Sequence, residues 1–167
     1  MTLKNPRNLY VMLLSDAREG IERSAIVFHE MLKVVQLADV KEALEARVFI
    51  IEKDLKLLDQ CFELMGEKPV KLYGRFNDIF LEDFRRELAE IQSPVPQHLF
   101  ILAKASQLMH LRMAEYVALI AAAGMTGHYG IGLLLESCMA DKLAFVQRTA
   151  SLIQNIVETK VTQKLAA

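Results

Sequence analysis

Almost every feature that announces a reaction is missing from this sequence of 167 residues. Its two cysteines, Cys61 and Cys138, lie far apart and without C-x-x-C spacing. That excludes a dithiol redox motif and leaves buried, reduced thiols in a cytoplasmic protein as the expectation. There is no basic tract beyond isolated pairs such as Arg85-Arg86, and the net charge is −1. The electrostatic footprint of a nucleic-acid binder is therefore lacking. No Gly-x-Ser-x-Gly elbow occurs, and neither cysteine has a histidine at helical spacing. The glycine-rich stretch GMTGHYGIG, from Gly124 to Gly132, lacks the preceding strand and the Gly-Lys-Ser/Thr ending of a phosphate loop. It reads as a turn.

Long uninterrupted apolar runs are scarce as well. The first twenty residues carry no such run with a small-residue cleavage site, so no signal peptide is expected. The most membrane-like segment, Tyr116 to Leu135, contains no Asp, Glu, Lys or Arg. Its central glycines split it into halves too short for the ~30 Å of a hydrocarbon core, so no membrane span is expected.

What is present is helical periodicity. Hydrophobic residues make up 53% and charged residues 25%, a balance that supports a folded core. Strand-like alternation is absent, and apolar residues recur at spacings of three and four. Five helices are predicted, at about 6–36, 39–65, 77–91, 96–123 and 130–160. The first should start at Pro6 behind an Asn5 cap, with a stripe through Tyr10, Leu14, Ala17, Ile21, Ser24, Phe28, Met31 and Val35. The second should start at Asp39 in a capping-box pattern, run through Leu44, Val48, Ile51, Leu55, Leu58, Phe62 and Met65, and stop at Gly66. A short helix after the Gly66–Gly74 loop should turn Phe76, Phe80, Phe84, Leu88 and Ile91 inward. The third long helix follows SPVP with a stripe through Leu99, Leu102, Ser106, Met109, Met113, Tyr116, Ile120 and Ala123. The fourth shows Leu135, Cys138, Phe145, Thr149, Leu152 and Ile156. Four long helices of this kind pack as an all-α, four-helix bundle, with the short helix in the crossover between the second and third.

Bundles hold cofactors by pointing side chains inward from facing helices. A di-metal carboxylate centre needs Glu from two helices and Glu-x-x-His from the other two. No Glu-x-x-His occurs. His29 stands next to Glu30, His98 at a helix start and His128 in a turn. His110, inside SQLMHLRMAEY, is expected beside the Met109–Met113 seam as a neutral histidine bonded to Glu136 or Asp16. The eight methionines are spread over several helices and read as core filler. Asp16, Arg18, Glu19 and Glu22 read as a solvated charged face.

Several short stretches carry a family resemblance: Leu14-Ser15-Asp16, Ala43 to Ala46 with Asp59, the Gly66–Gly74 loop, His110 with Tyr116, and Leu133-Leu134-Leu135-Glu136 with Lys142. In this order they resemble the bacterial ferritin-like proteins related to YciE and YciF, the DUF892 family, over roughly Leu9 to Val157. The resemblance implies a ferritin-like bundle, a homodimer, a link to stress responses, and inward carboxylates with a histidine or glutamine for two metal ions. The sequence departs from that pattern where ligands belong. Ile21 stands on the first stripe, Phe49-Ile50-Ile51 precede Glu52 and Asp54, Met109 and Arg112 flank His110, and Met139-Ala140-Asp141 follow Glu136.

The expectation is therefore a non-catalytic structural or interaction protein with no catalytic residues, no cofactor, no nucleic acid and no membrane. The alternative is a divergent oxidase-like protein binding iron or manganese through His110, Glu136, Glu52, Asp54 and Asp141. A third possibility is an apolar pocket in the bundle centre.

Overall fold

A computed structural model describes residues 5–72 and 75–165, with side chains up to residue 159. The described residues form five helices and no strand: α1 Pro6–Val34, α2 Ala38–Met65, α3 Phe76–Ala89, α4 Pro94–Met125 and α5 Tyr129–Leu165. The end of the Gly66–Gly74 loop lies outside the described residues.

Helix α1 starts as its sequence dictates. The Asn5 side chain accepts the backbone N–H of Asn8 at 2.8 Å, and proline occupies the first turn, where its missing N–H costs nothing. All eight predicted stripe residues are buried. Helix α2 starts one residue early, at Ala38, with Leu37 at the cap and no side-chain cap bond. Asp39 is thus inside the first turn, where its charge favours the helix N-terminus without closing a capping box. Two glycines end helices in the left-handed region, Gly66 at φ 64° and Gly127 at φ 77°. At the second, His128 N–H donates to Ala123 C=O (2.8 Å) and Gly127 N–H to Gly124 C=O (3.3 Å). That paired closure leaves only Thr126 to His128 between α4 and α5. It makes the two helices an antiparallel hairpin.

The other directions follow from cross-helix pairs. Arg7 at the start of α1 bonds Met65 C=O and Glu67 at the end of α2. Glu42 meets Arg148 and Lys53 meets Asp141, so α2 and α5 are antiparallel. The N–H of Gln36 donates to His98 Nε2 at 3.3 Å, while Gly20 sits against Arg112, so α1 and α4 are antiparallel too. Helices α2 and α4 therefore run the same way, and the crossover must travel the length of the bundle. Helix α3 lies along that crossover, outside the bundle against α1 and α4. Phe84 stacks on Phe100 with ring centroids 5.8 Å apart, and Lys104 pairs with Glu87. This is the ferritin-like order of four long helices plus a crossover helix that the sequence implies.

The short helix is more exposed than predicted. Only Phe84 is fully buried, while Phe76 is exposed. A helix laid on the outside of a bundle needs one line of contact; Phe84 anchors it, and half-buried Phe80, Leu81 and Leu88 extend it.

Candidate functional site

Helix pitch puts residues seven apart on one face, two turns from each other. In α2 the buried line is Ala43, Leu44, Arg47, Ile51, Asp54, Leu58 and Cys61. Arg47 and Asp54 thus stand where the stripe calls for apolar residues, and they displace Val48 and Leu55 to half-buried positions. In α5, Lys142 fills the step between Cys138 and Phe145. The three meet in the bundle interior. Arg47 Nη2 donates to Asp54 Oδ2 at 2.9 Å, and Lys142 Nζ donates to the same oxygen at 2.8 Å. All three side chains have 0% exposure.

The surroundings hold the Lys142 ammonium in place. Lys142 Nζ also donates to Cys138 C=O at 3.1 Å and sits 4.0 Å from the centroid of the Tyr116 ring, a cation–π contact in a dry place. Burial lowers the Lys142 pKa, and the Asp54 charge opposes that shift. Burial raises the Tyr116 hydroxyl well above its ordinary value, with Asp54 adding to the effect. Burial likewise pushes the Cys61 thiol to about 11 and the Cys138 thiol to about 12, the latter helped by Asp54. Both thiols are free and protonated at neutral pH, and so poor nucleophiles.

A second charged cluster lies between α4, α1 and α3. Arg112 Nη1 donates to Glu115 at 2.8 Å and Nη2 donates to Asn77 Oδ1 at 2.7 Å. Its guanidinium crosses α1 at Gly20, where a Cβ would lie 1.5 Å from Nη1. Glycine leaves the guanidinium its place there; a methyl group would oblige Arg112 to shift from its bonds to Glu115 and Asn77. Burial raises Glu115 to about 7; Arg112 opposes the shift and Asp16 reinforces it.

The residues singled out in the sequence do not converge. His110 is exposed, and its Nδ1 lies 2.8 Å from Ser106 C=O of its own helix. It faces neither Glu136 nor Asp16. The reason is the phase of α4: the buried line runs Ala105, Leu108, Met109, Arg112 and Tyr116, so His110 falls beyond its edge and Met113 is half-buried. Glu136 and Glu52 are exposed, and Asp141 pairs with Lys53 at 3.1 Å on the rim. Of the five, Asp54 alone is in the core. The patch read as solvated is tied to α2 by Arg18, which donates to Asp59 at 2.6 Å and, within α1, to Glu22 at 3.4 Å.

A di-metal centre of the kind the resemblance implies does not fit these residues. Metals need lone pairs from several carboxylates or imidazoles. Among the described residues, no three His, Cys, Asp or Glu side chains gather to supply them. The one central carboxylate already accepts from two cations. Of the central polar atoms with no protein partner, Arg47 Nε and Nη1 carry only N–H groups, beside Asp54 Oδ1 and the Tyr116 hydroxyl. Such a centre offers mainly donors, and a cation would meet repulsion there. Nor is the centre an apolar pocket. Clefts of about 450 Å³ beside Arg18 and Val70, and about 300 Å³ beside His98 and Leu152, lie at the side and end of the bundle.

The sequence profile of a family described as a domain of unknown function (DUF892) matches residues 5–166. The chain belongs to this family. Among solved structures, YcfI of Rhodopseudomonas palustris, whose name carries only a provisional structural role, superposes with a TM-score of 0.84 at 22% identity. The match covers 89% of this chain and 94% of that one. The E. coli stress protein YciF gives a TM-score of 0.86 at 18% identity, covering 93% and 98%. A protein of Xanthomonas campestris gives 0.77 at 17%, covering 96% and 99%. These likenesses establish the fold of this DUF892 chain. No curated protein is similar to it.

Sequence reading missed Arg47 and Gly20 and gave Lys142 and Arg112 no structural part. A signal existed for two of them. The α2 stripe can be drawn through 44, 47, 51, 54 and 58, and the α5 stripe skips from 138 to 145 with a lysine in the gap.

Proposed function

We propose that this DUF892 chain is a non-catalytic structural or interaction bundle that works as a homodimer in the cytoplasm, in a stress-related setting. The observation that carries the reading is the Asp54 carboxylate, shared at 0% exposure by Arg47 and Lys142. In a carboxylate bundle the inward charges need a compensating cation. Here side chains of the chain itself provide it, which supports a centre that holds no metal. The high thiol pKa values leave the cysteines unreactive, and their free, buried state suits a reducing compartment. A structural neighbour is a stress protein, which agrees with the stress-related setting.

Metal analysis tests this directly. Protein purified without chelators, then incubated with Fe(II) or Mn(II) and desalted, should retain far less than one metal per chain. Retention of one or more equivalents, abolished by Asp54→Asn or His110→Ala, would restore the oxidase-like alternative.

A further inference from the structure

The end of the bundle where α2 and α4 begin holds the cleft of about 300 Å³ beside His98. Its walls are mainly apolar. Leu37, Pro94 and Val95 come from the starts of the two helices, and Leu152 and Ile156 from α5. Among the described lining residues there is no Lys or Arg, and Asp39 is the one carboxylate. His98 is a polar side chain set into this wall at only 7% exposure. Its Nε2 accepts the Gln36 N–H at 3.3 Å, so the neutral ring carries its proton on Nδ1. Burial lowers the His98 pKa and thereby keeps the ring neutral at pH 7. With Nε2 occupied, the Nδ1–H is the donor that His98 can offer to the cleft.

We infer that this cleft binds a small uncharged molecule, apolar over most of its surface, with one hydroxyl or carbonyl oxygen that accepts from His98 Nδ1. Three arguments select that ligand. The first is size. The volume equals that of about ten waters in the liquid and lies at the small end of ligand sites, which suits about ten non-hydrogen atoms. The second is charge. Two helix starts of about +0.5 each, neither capped by a side chain, offset the Asp39 carboxylate, so the local field nearly cancels. An ammonium or a carboxylate would lose its hydration there, and a carboxylate would find no basic side chain to meet it. The third is polarity. Five apolar residues supply the body of the site, and a buried N–H at its wall stabilises one acceptor oxygen.

Titration of the full chain, followed through backbone amide chemical shifts, tests the inference. The probe is 1-indanone, an uncharged bicyclic ketone of this size. It should bind saturably with Kd of about 0.1–1 mM and shift the amides of Asp39, Val95, His98 and Ile156. Indane, the same ring system without the oxygen, should bind about fivefold more weakly, the loss of one hydrogen bond. The charged analogues 2-aminoindane and indane-2-carboxylate should bind at least about tenfold more weakly than 1-indanone. His98→Phe should weaken 1-indanone about fivefold and leave indane unchanged; equal losses for both would overturn the Nδ1 contact. Ile156→Trp should fill the cleft and abolish binding with helical circular dichroism unchanged, and Val95→Phe should do the same from the α4 side. No saturable binding below about 10 mM, binding that survives both filling variants, or a charged analogue that binds more tightly than 1-indanone would overturn the inference. The cleft is separate from the charged centre, so each of these outcomes leaves the metal test above unaffected.

Discussion

Two arginine–aspartate pairs in this molecule look alike on paper and do different work. Arg47–Asp54 closes at 2.9 Å with both side chains at 0% exposure, and Arg18–Asp59 closes at 2.6 Å with 29% and 49% exposure. The shorter contact is the weaker one. At the surface, water screens the charges and the long side chains lose freedom in pairing. In the core, the gain over an apolar replacement is small, but the cost of removing one partner is large, because a buried charge is left alone. The inner pair, with Lys142, therefore dictates what α2 and α5 must carry in the middle of the bundle, whereas the outer pair is expendable.

Removing the shared anion should have the largest effect. Asp54→Ala strands Arg47 and Lys142 in the core and should cost about 3–5 kcal/mol in chemical denaturation. The triple replacement Arg47→Met, Asp54→Leu, Lys142→Met removes all three charges together and should bring stability back to within about 1–2 kcal/mol of wild type. If the triple replacement is as damaging as Asp54→Ala, the cluster does more than balance charge. Next comes Gly20→Ala. The added methyl group meets the Arg112 guanidinium and should cost about 1–3 kcal/mol by overpacking; Arg112→Met should relieve part of it. Arg18→Ala should change stability by less than about 1 kcal/mol, and less again in high salt.

The second buried cluster sharpens the same contrast through pH. Glu115 has a folded pKa of about 7 against an ordinary value of 4.5. Folding thus favours its protonated form. The stability it contributes is fully present below about pH 4.5 and is lost as pH rises through about 7. Urea midpoints measured across that window should fall with rising pH, and Glu115→Gln should flatten that part of the profile. An unchanged profile in the variant would assign the slope to other groups.

The fold was legible because hydrophobic periodicity and punctuation agree. Pro6, Gly66, Ser93-Pro94 and Gly127 mark ends that the helices respect, and the α1 stripe is correct at every position. The interior chemistry was hidden for a definite reason. Stripes are drawn through apolar residues, so a buried Arg or Lys is passed over in favour of its apolar neighbour, as Val48 was preferred to Arg47 and Met113 to Arg112. The same one-residue error of phase brought His110 to the seam, when it belongs to the outside. Gly20 could not be recognised at all without the guanidinium that crosses it.

The central claim is that the bundle centre is closed by its own cations. Thermal unfolding in EDTA, and then with excess Fe(II) or Mn(II), tests it most directly, since a ligand that binds the folded state must raise its midpoint. The charge cluster predicts midpoints equal to within about 1 °C in all conditions. A rise of about 5 °C or more with either metal, absent in Asp54→Asn, would contradict the account.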